Sequence, residues 1–309
     1  MPGNEPKAQH FVQRAYLEGF CDPVPSNGKT PLLWVHSAHR PVRRQVPKEC
    51  AVENYFYCFE QDGERNFSAE AHLSSLENAS RQVLDASGRG ILPITLRDRF
   101  TLTGYVAMAL VRTPQGKSYI DRAAVDHAAK TIRDLLADPV RHAKFCRELE
   151  TETGQKCDPE EQKRILKSGQ ICGSQTNRAW SLQMMIEMLM YFQELFMGMY
   201  LALLHANDSF FLTCDCPVRV HEPTSVLSGD HPVEMLFPLN REFCLVGSTV
   251  KGEERLELAS PDVQVINASI IRQADRFVYA PFNVPYIQDE LREPRIAKVG
   301  ARSDAAVTF

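Results

Sequence analysis

The chain has 309 residues, 44% of them apolar and 24% charged, which rules out a low-complexity or disordered protein and lets a sizeable core be buried. A net charge of −4 at pH 7 excludes a broadly basic surface for nucleic acid or anionic membrane, while leaving room for a local basic patch. Nine cysteines, Cys21, Cys50, Cys58, Cys146, Cys157, Cys172, Cys214, Cys216 and Cys244, form no spacing framework and read as reduced thiols. The start, MPGNEPKAQH, lacks an apolar leader core, so a cytoplasmic protein is expected.

In chain order, Leu32–His36 and Tyr55–Phe59 are aromatic and β-branched runs that predict strands, bounded by turn residues at Ser26-Asn27-Gly28 and Asp62-Gly63. Ser68 caps a predicted helix over 69–86, stopped by Gly88 and Gly90. Thr95 caps a second, through about Arg112, which the Thr113-Pro114 step ends. Residues 118–150 read as one or two helices with a break at Asp138-Pro139, and 151–176 as polar loop around a short charged helix at 159–168.

A long apolar helix is predicted over 177–205, carrying six methionines. Glu187 and Glu194 interrupt it, so no membrane span is expected. With Gln183 they mark a solvent stripe; alternatively the helix is an adaptable methionine-rich groove for a protein partner, or the stripe faces inward and holds metal. Phe210–Val220 and Leu236–Val246 read as strands around a polar loop at 221–232. Ser260-Pro261-Asp262 opens a helix to about Ala274, Arg276–Ala280 returns to the sheet, and the tail from Pro281 reads as polar and peripheral. Strands at both ends with helices between predict one α+β domain over 1–309, with its core at about 7–280. It has a predominantly helical layer and a small mixed or antiparallel sheet completed by N- and C-terminal strands.

No Gly-rich phosphate loop, Gly-x-Ser-x-Gly, His-Glu-x-x-His or Cys-x-x-Cys is present, which argues against P-loop, serine-esterase and structural-zinc chemistry. Glu161-Gln162-Lys163 mimics half of a nuclease motif but lacks an acidic strand ahead of it. His36 and His39 are spaced to clamp a metal, yet read as solvated groups at a strand end. The run His39, Arg40, Arg43, Arg44, Lys48 reads as a solvated basic face, with phosphate or nucleic-acid contact as the alternative.

Residues 7–20, KAQHFVQRAYLEGF, carry Lys7, His10, Phe11, Val12, Tyr16, Leu17 and Phe20 at the spacing of the opening of the bacterial DUF4238 family, which this chain resembles. Gln13 stands where the family has proline. In order follow the aromatic run Asn54–Tyr57, a helix with Glu70 and Glu77, Arg112-Thr113-Pro114, Thr213-Cys214-Asp215-Cys216-Pro217-Val218, Phe237-Pro238-Leu239, and Asn267 before Arg276-Phe277-Val278-Tyr279. Cys214 and Cys216 replace the family's Ser and Asn, which disfavours a thiol nucleophile.

The family label implies no activity, so chemistry is read from the residues. Glu70 and Glu77 share a helix side, and Arg112 closes the next, antiparallel helix. If the termini complete one sheet, His10, Glu70, Glu77, Arg112, Asp215 and Asn267 can converge. A His, carboxylates and an Arg suit hydrolysis of a phosphodiester or nucleotide, with His10, Glu70 or Glu77 as acid, base or metal ligand, Arg112 holding the anion and Asp215 as second acid. Two of the acids could share a divalent ion. The alternatives are a polar network that fixes packing, or a non-enzymatic binding module using the methionine-rich helix or the basic stretch 39–48.

Overall fold

The structure, a computed structural model, describes residues 8–23, 30–56, 59–61, 64–93, 95–167, 178–220 and 233–292. Lys7, Cys58, Cys172, the expected turns at Ser26–Gly28 and Asp62–Gly63, the loop 221–232 and the tail beyond residue 292 lie outside them, as does the Gln183 side chain. The fold is α+β. Two compact units divide it: one runs to Gly116 and resumes at Met185, and the other holds Lys117–Met184.

In the first unit, strand β1 (Ala8–His10) pairs antiparallel with β4 (Val52–Asn54). Helix α1 (Arg14–Glu18) follows β1. A four-stranded antiparallel sheet runs β3 (Arg43–Gln45), β2 (Leu33–His36), β13 (Val278–Ala280), β8 (Thr213–Cys214), so strands from the two ends of the described chain do meet in one sheet. Part of the basic run is therefore an edge strand, where charged side chains deter pairing with another chain. Strands β5 (Phe59–Gln61) and β6 (Glu64–Asn66) form a separate hairpin.

A second, five-stranded sheet was not anticipated. Its order is β12 (Arg255–Leu258), β7 (Tyr200–Ala206), β11 (Phe243–Ser248), β10 (Val233–Pro238), β9 (Arg219–Val220), antiparallel except where β12 joins β7. Three strand expectations change here. The 177–205 helix stops at Met197, and Tyr200–Ala206 is strand instead. Residues 236–246 are a hairpin turning at Leu239–Glu242, not one strand, and 210–220 contributes only the short β8 and β9.

Both faces of this sheet are covered. Leu204, Cys244, Val246 and Leu236 share a core with Val263, Ile266 and Ile270, the apolar stripe of α8 (Ser260–Gln273), spaced three and four apart as a helix face requires, and with Ala274 at its C-terminal cap. On the other face Phe237 stacks with Tyr16 at 5.2 Å and meets Tyr105 of α3 (Leu96–Val111) at 6.1 Å. The segment after Pro281 is not peripheral throughout: Val284 and, from α9 (Tyr286–Arg292), Ile287 and Leu291 are buried in the α8 core.

Helix α2 (Ser68–Ser87) packs on α3, and the helix starts one residue earlier than Ser68 as a cap allows, with Phe67 at the cap position. Thr95 does cap α3, accepting from the Asp98 amide at 3.0 Å. Ser260 is helical rather than capping; its hydroxyl donates to the Asp208 carbonyl at 3.3 Å. Helix α4 (Pro114–Ala137) begins in the first unit and continues into the second. In the second unit, α5 (Pro139–Thr153) starts where Asp138 accepts from two backbone amides, and it ends on Gly154 at φ 69°, the left-handed cap that glycine adopts without penalty. Helix α6 (Pro159–Lys167) packs on α5, and α7 (Arg178–Met197) opens in this unit. Among the described residues, no helix is long and apolar enough to cross a membrane.

Candidate functional site

Helices α2 and α3 pack together with Ser80 near Thr101 and Glu77 at Arg112, so the first half of α2 lies beside the end of α3, and the end of β1 reaches Arg112 through the His10 carbonyl. Arg112, at the C-terminal cap of α3, is only 3% exposed. Its guanidinium donates to the Glu77 carboxylate and to the main-chain carbonyl of His10. Glu77 is 17% exposed, so this is a nearly buried ion pair, closed by a third group from the first strand. The expected meeting of His10, Glu77 and Arg112 is present, but through the backbone of His10. The guanidinium is already committed inside the protein, which corrects the expectation that it holds a substrate anion.

Glu70 sits one turn-pair earlier on α2, half-buried, within electrostatic reach of Arg112 and Glu77. Burial raises its pKa, Arg112 partly offsets that, and Glu77 adds to the rise. Its Oε2 is buried and has no hydrogen-bond partner. The His10 ring Nε2 lies 3.2 Å from the Lys48 carbonyl, so Nε2 carries the proton and Nδ1 keeps the lone pair. Burial lowers the pKa of His10, and the nearby Arg112 acts in the same direction. Both effects favour the neutral imidazole. Ala51 and Tyr55, flanking β4, have φ of 51° and 54°, left-handed conformations that are strained for residues with a Cβ. The Ala51 carbonyl accepts from the Phe11 amide at 2.9 Å, so one of these bends pins the residue after His10.

Asp215 does not join this cluster. Fully buried, its carboxylate accepts from the backbone amides of Asp275, Arg276 and Phe277 at 2.8, 2.7 and 3.0 Å. Burial pushes its carboxyl up to about 6 even against those three donors. It is the clasp that holds the turn entering β13 onto the end of β8, not a second acid. Asn267 likewise bridges backbone: it accepts from the Leu212 amide at 2.9 Å and donates to the Phe210 carbonyl at 2.8 Å, fixing α8 to the segment before β8.

Among the described residues, no three of His, Cys, Asp and Glu are grouped to hold a metal ion. His36 is not solvated as expected but fully buried, and burial lowers its pKa to about 4 against a small opposing pull from the Phe282 backbone; His39 is exposed. The cysteines of the described residues are free thiols. Gln13, at the residue where the family pattern has proline, accepts from the Tyr105 hydroxyl at 2.7 Å, so the departure is absorbed by a tie to α3.

Sequence reasoning missed a cleft of about 380 Å³ in the same unit, lined by Gln13, Glu18, Arg81, Asp85, Arg89 and Asn240. It is built from the helix α1–α2 side and the β10–β11 turn, two segments that no local pattern associates. On α7, Glu187 and Glu194 are exposed as the solvent stripe predicts, but Ile186, Met190 and Tyr191 are exposed beside them.

No curated protein and no solved structure matches the chain. The model of the family described as "Protein of unknown function (DUF4238)" matches residues 8–281, the segment that contains β1, the ion-paired cluster, the Asp215 clasp and β13. The chain belongs to the DUF4238 family.

Proposed function

We propose that the protein is a hydrolase of phosphodiester or nucleotide substrates, with His10 as general base, Glu70 as general acid, and the Arg112–Glu77 pair as the frame that positions them. The observation that carries this reading is the buried, unpartnered Oε2 of Glu70 beside an ion pair whose own bonds are already closed. Burial favours the protonated carboxyl of Glu70 and the neutral imidazole of His10, both within electrostatic reach of Arg112 and Glu77, and that is the division of labour acid–base hydrolysis needs. His10 Nδ1 takes a proton from water as the oxygen attacks phosphorus; the P–O bond to the leaving alcohol breaks, and Glu70 supplies the proton to that oxygen. Arg14 acts on His10 electrostatically and the exposed Lys48 supplies the carbonyl that fixes the ring, so cations flank the site on the side where an anionic substrate would lie.

The test is turnover of bis(p-nitrophenyl) phosphate and a panel of linear and cyclic nucleotides by the purified protein, with and without Mg²⁺ or Mn²⁺. Loss of roughly 100-fold or more in both Glu70→Gln and His10→Gln is expected, with melting temperatures held near that of the native protein. Native rates in both variants, or no turnover of any substrate by the native protein, would sink the hydrolase reading.

A further inference from the structure

Arginines from two distant parts of the chain lie over aromatic rings on one surface of the first unit. The guanidinium carbons of Arg40, Arg43 and Arg276 stand 6.0, 5.7 and 6.0 Å from the centroid of Phe277. Arg276 also lies 5.8 Å over Phe11, and Arg44 lies 5.4 Å over Trp34. Arg276 is touched by two exposed carboxylates, Glu53 at 3.8 Å and Asp275 at 3.5 Å, and Arg44 by Asp22 at 3.1 Å. Arg40 and Arg43 make no ion pair among the described residues.

Three like charges on a single ring repel one another, and among the described residues no carboxylate pairs with two of them. An external anion relieves that repulsion. The rings hold the guanidinium planes in place, so little side-chain freedom is lost when they bind. Arg40 and Arg276 are exposed and Arg43 is half-buried, so these guanidinium groups face solvent from above buried or half-buried rings. A small ligand is normally enclosed, whereas a polyanion needs only a row of cations along its path.

We infer that Arg40, Arg43 and Arg276, seated on Phe277 and Phe11, bind the phosphate backbone of a single-stranded nucleic acid. Phe277 is already flanked by guanidinium groups, so capture is led by phosphate contacts and is tolerant of base sequence. The acidic overall charge does not oppose this, because contacts of this kind act within about a Debye length, roughly 10 Å at 0.1 M salt. The surface is assigned on binding alone.

The experiment is fluorescence anisotropy of labelled oligo(dT) with the whole protein across a salt series, beside titrations with ADP and inorganic phosphate. Binding of oligo(dT) that weakens with salt is expected. The Arg40→Gln/Arg43→Gln double variant should bind about tenfold more weakly, with a salt slope flatter by about 0.7 per arginine removed. Arg141→Gln/Arg147→Gln, the same charge change on exposed residues of α5, should leave binding unchanged. Both pairs are at least partly solvent-facing, and matched melting temperatures exclude unfolding. No binding of oligo(dT), equal losses in the two double variants, or affinity for phosphate equal to that for the strand each overturns the assignment. Strand binding without turnover leaves this surface standing and counts against the hydrolase alone.

Discussion

The hydroxyl of Tyr16 lies 2.7 Å from Thr213 Oγ1 and donates to the Pro238 carbonyl at 2.8 Å, so one buried side chain of α1 joins the four-stranded sheet to the five-stranded one. Its ring is stacked on Phe237, and burial raises its pKa well above the ordinary tyrosine range. Tyr16→Phe keeps the stacking and removes the hydroxyl, leaving two buried partners short of a bond. A loss of roughly 1–3 kcal/mol in urea denaturation is expected; an unchanged midpoint would mean that the two sheets are held together by other contacts.

Arg112 predicts a larger effect. Arg112→Met strands the Glu77 carboxylate and the His10 carbonyl together, and removing one member of a buried pair costs about 3–5 kcal/mol. Adding Glu77→Leu should restore much of that loss, because the unpaired charge is gone. A double variant as unstable as the sum of the single ones would refute the pairing.

Asp215→Ala leaves the amides of Asp275, Arg276 and Phe277 without their acceptor, and each buried orphan costs roughly 1–3 kcal/mol. The fold should weaken while turnover per folded molecule stays at the native level. A stable but inactive Asp215→Ala protein would return the residue to the catalytic machinery from which the geometry removes it.

The pH dependence separates two buried groups with opposite signs. His36 is lowered from 6.5 to about 4, so between those values the unfolded chain takes up a proton that the folded chain refuses, and stability falls on acidification. Asp215 is raised from 3.8 to about 6, so in that window the folded chain is protonated first, and stability rises on acidification. In melts from pH 7 to pH 4, His36→Leu should gain stability relative to the native protein as the pH falls, and Asp215→Ala should lose it. Parallel profiles in all three proteins would show that neither group titrates as its burial implies.

Much of this was legible in the residues and some was not, for identifiable reasons. Caps and breakers placed α3, α5 and α8 well, because Thr95, Asp138-Pro139 and Pro261 act locally. Tyr200–Ala206 was misread as helix because β7 is covered on both faces, and a central strand then shows a continuous apolar run that periodicity cannot separate from a buried helix. Helix spacing and the antiparallel rule were enough to bring Glu77 and Arg112 together. The clasp made by Asp215 was not legible because its three partners are backbone amides sixty or so residues away, and no side-chain pattern announces a backbone acceptor. The arginine-bearing Phe277 was equally hidden: Arg40 and Arg43 come from β3 and the segment before it, while the ring and Arg276 come from the entry to β13.

The placement of β13 between β2 and β8 also sets an order of events. Val278 must reach His36 on one side and Cys214 on the other before that sheet can exist. Until then β2 has only its edge partner β3, and the Asp215 carboxylate has no amides to clasp. Folding of this sheet must therefore wait for nearly the whole described chain, and long-range pairing of this kind is slow because loop closure precedes any gain from contact. During synthesis the edge of β2 that will face β13 stays unpaired longest, while the arginine-bearing β3 already covers its other edge.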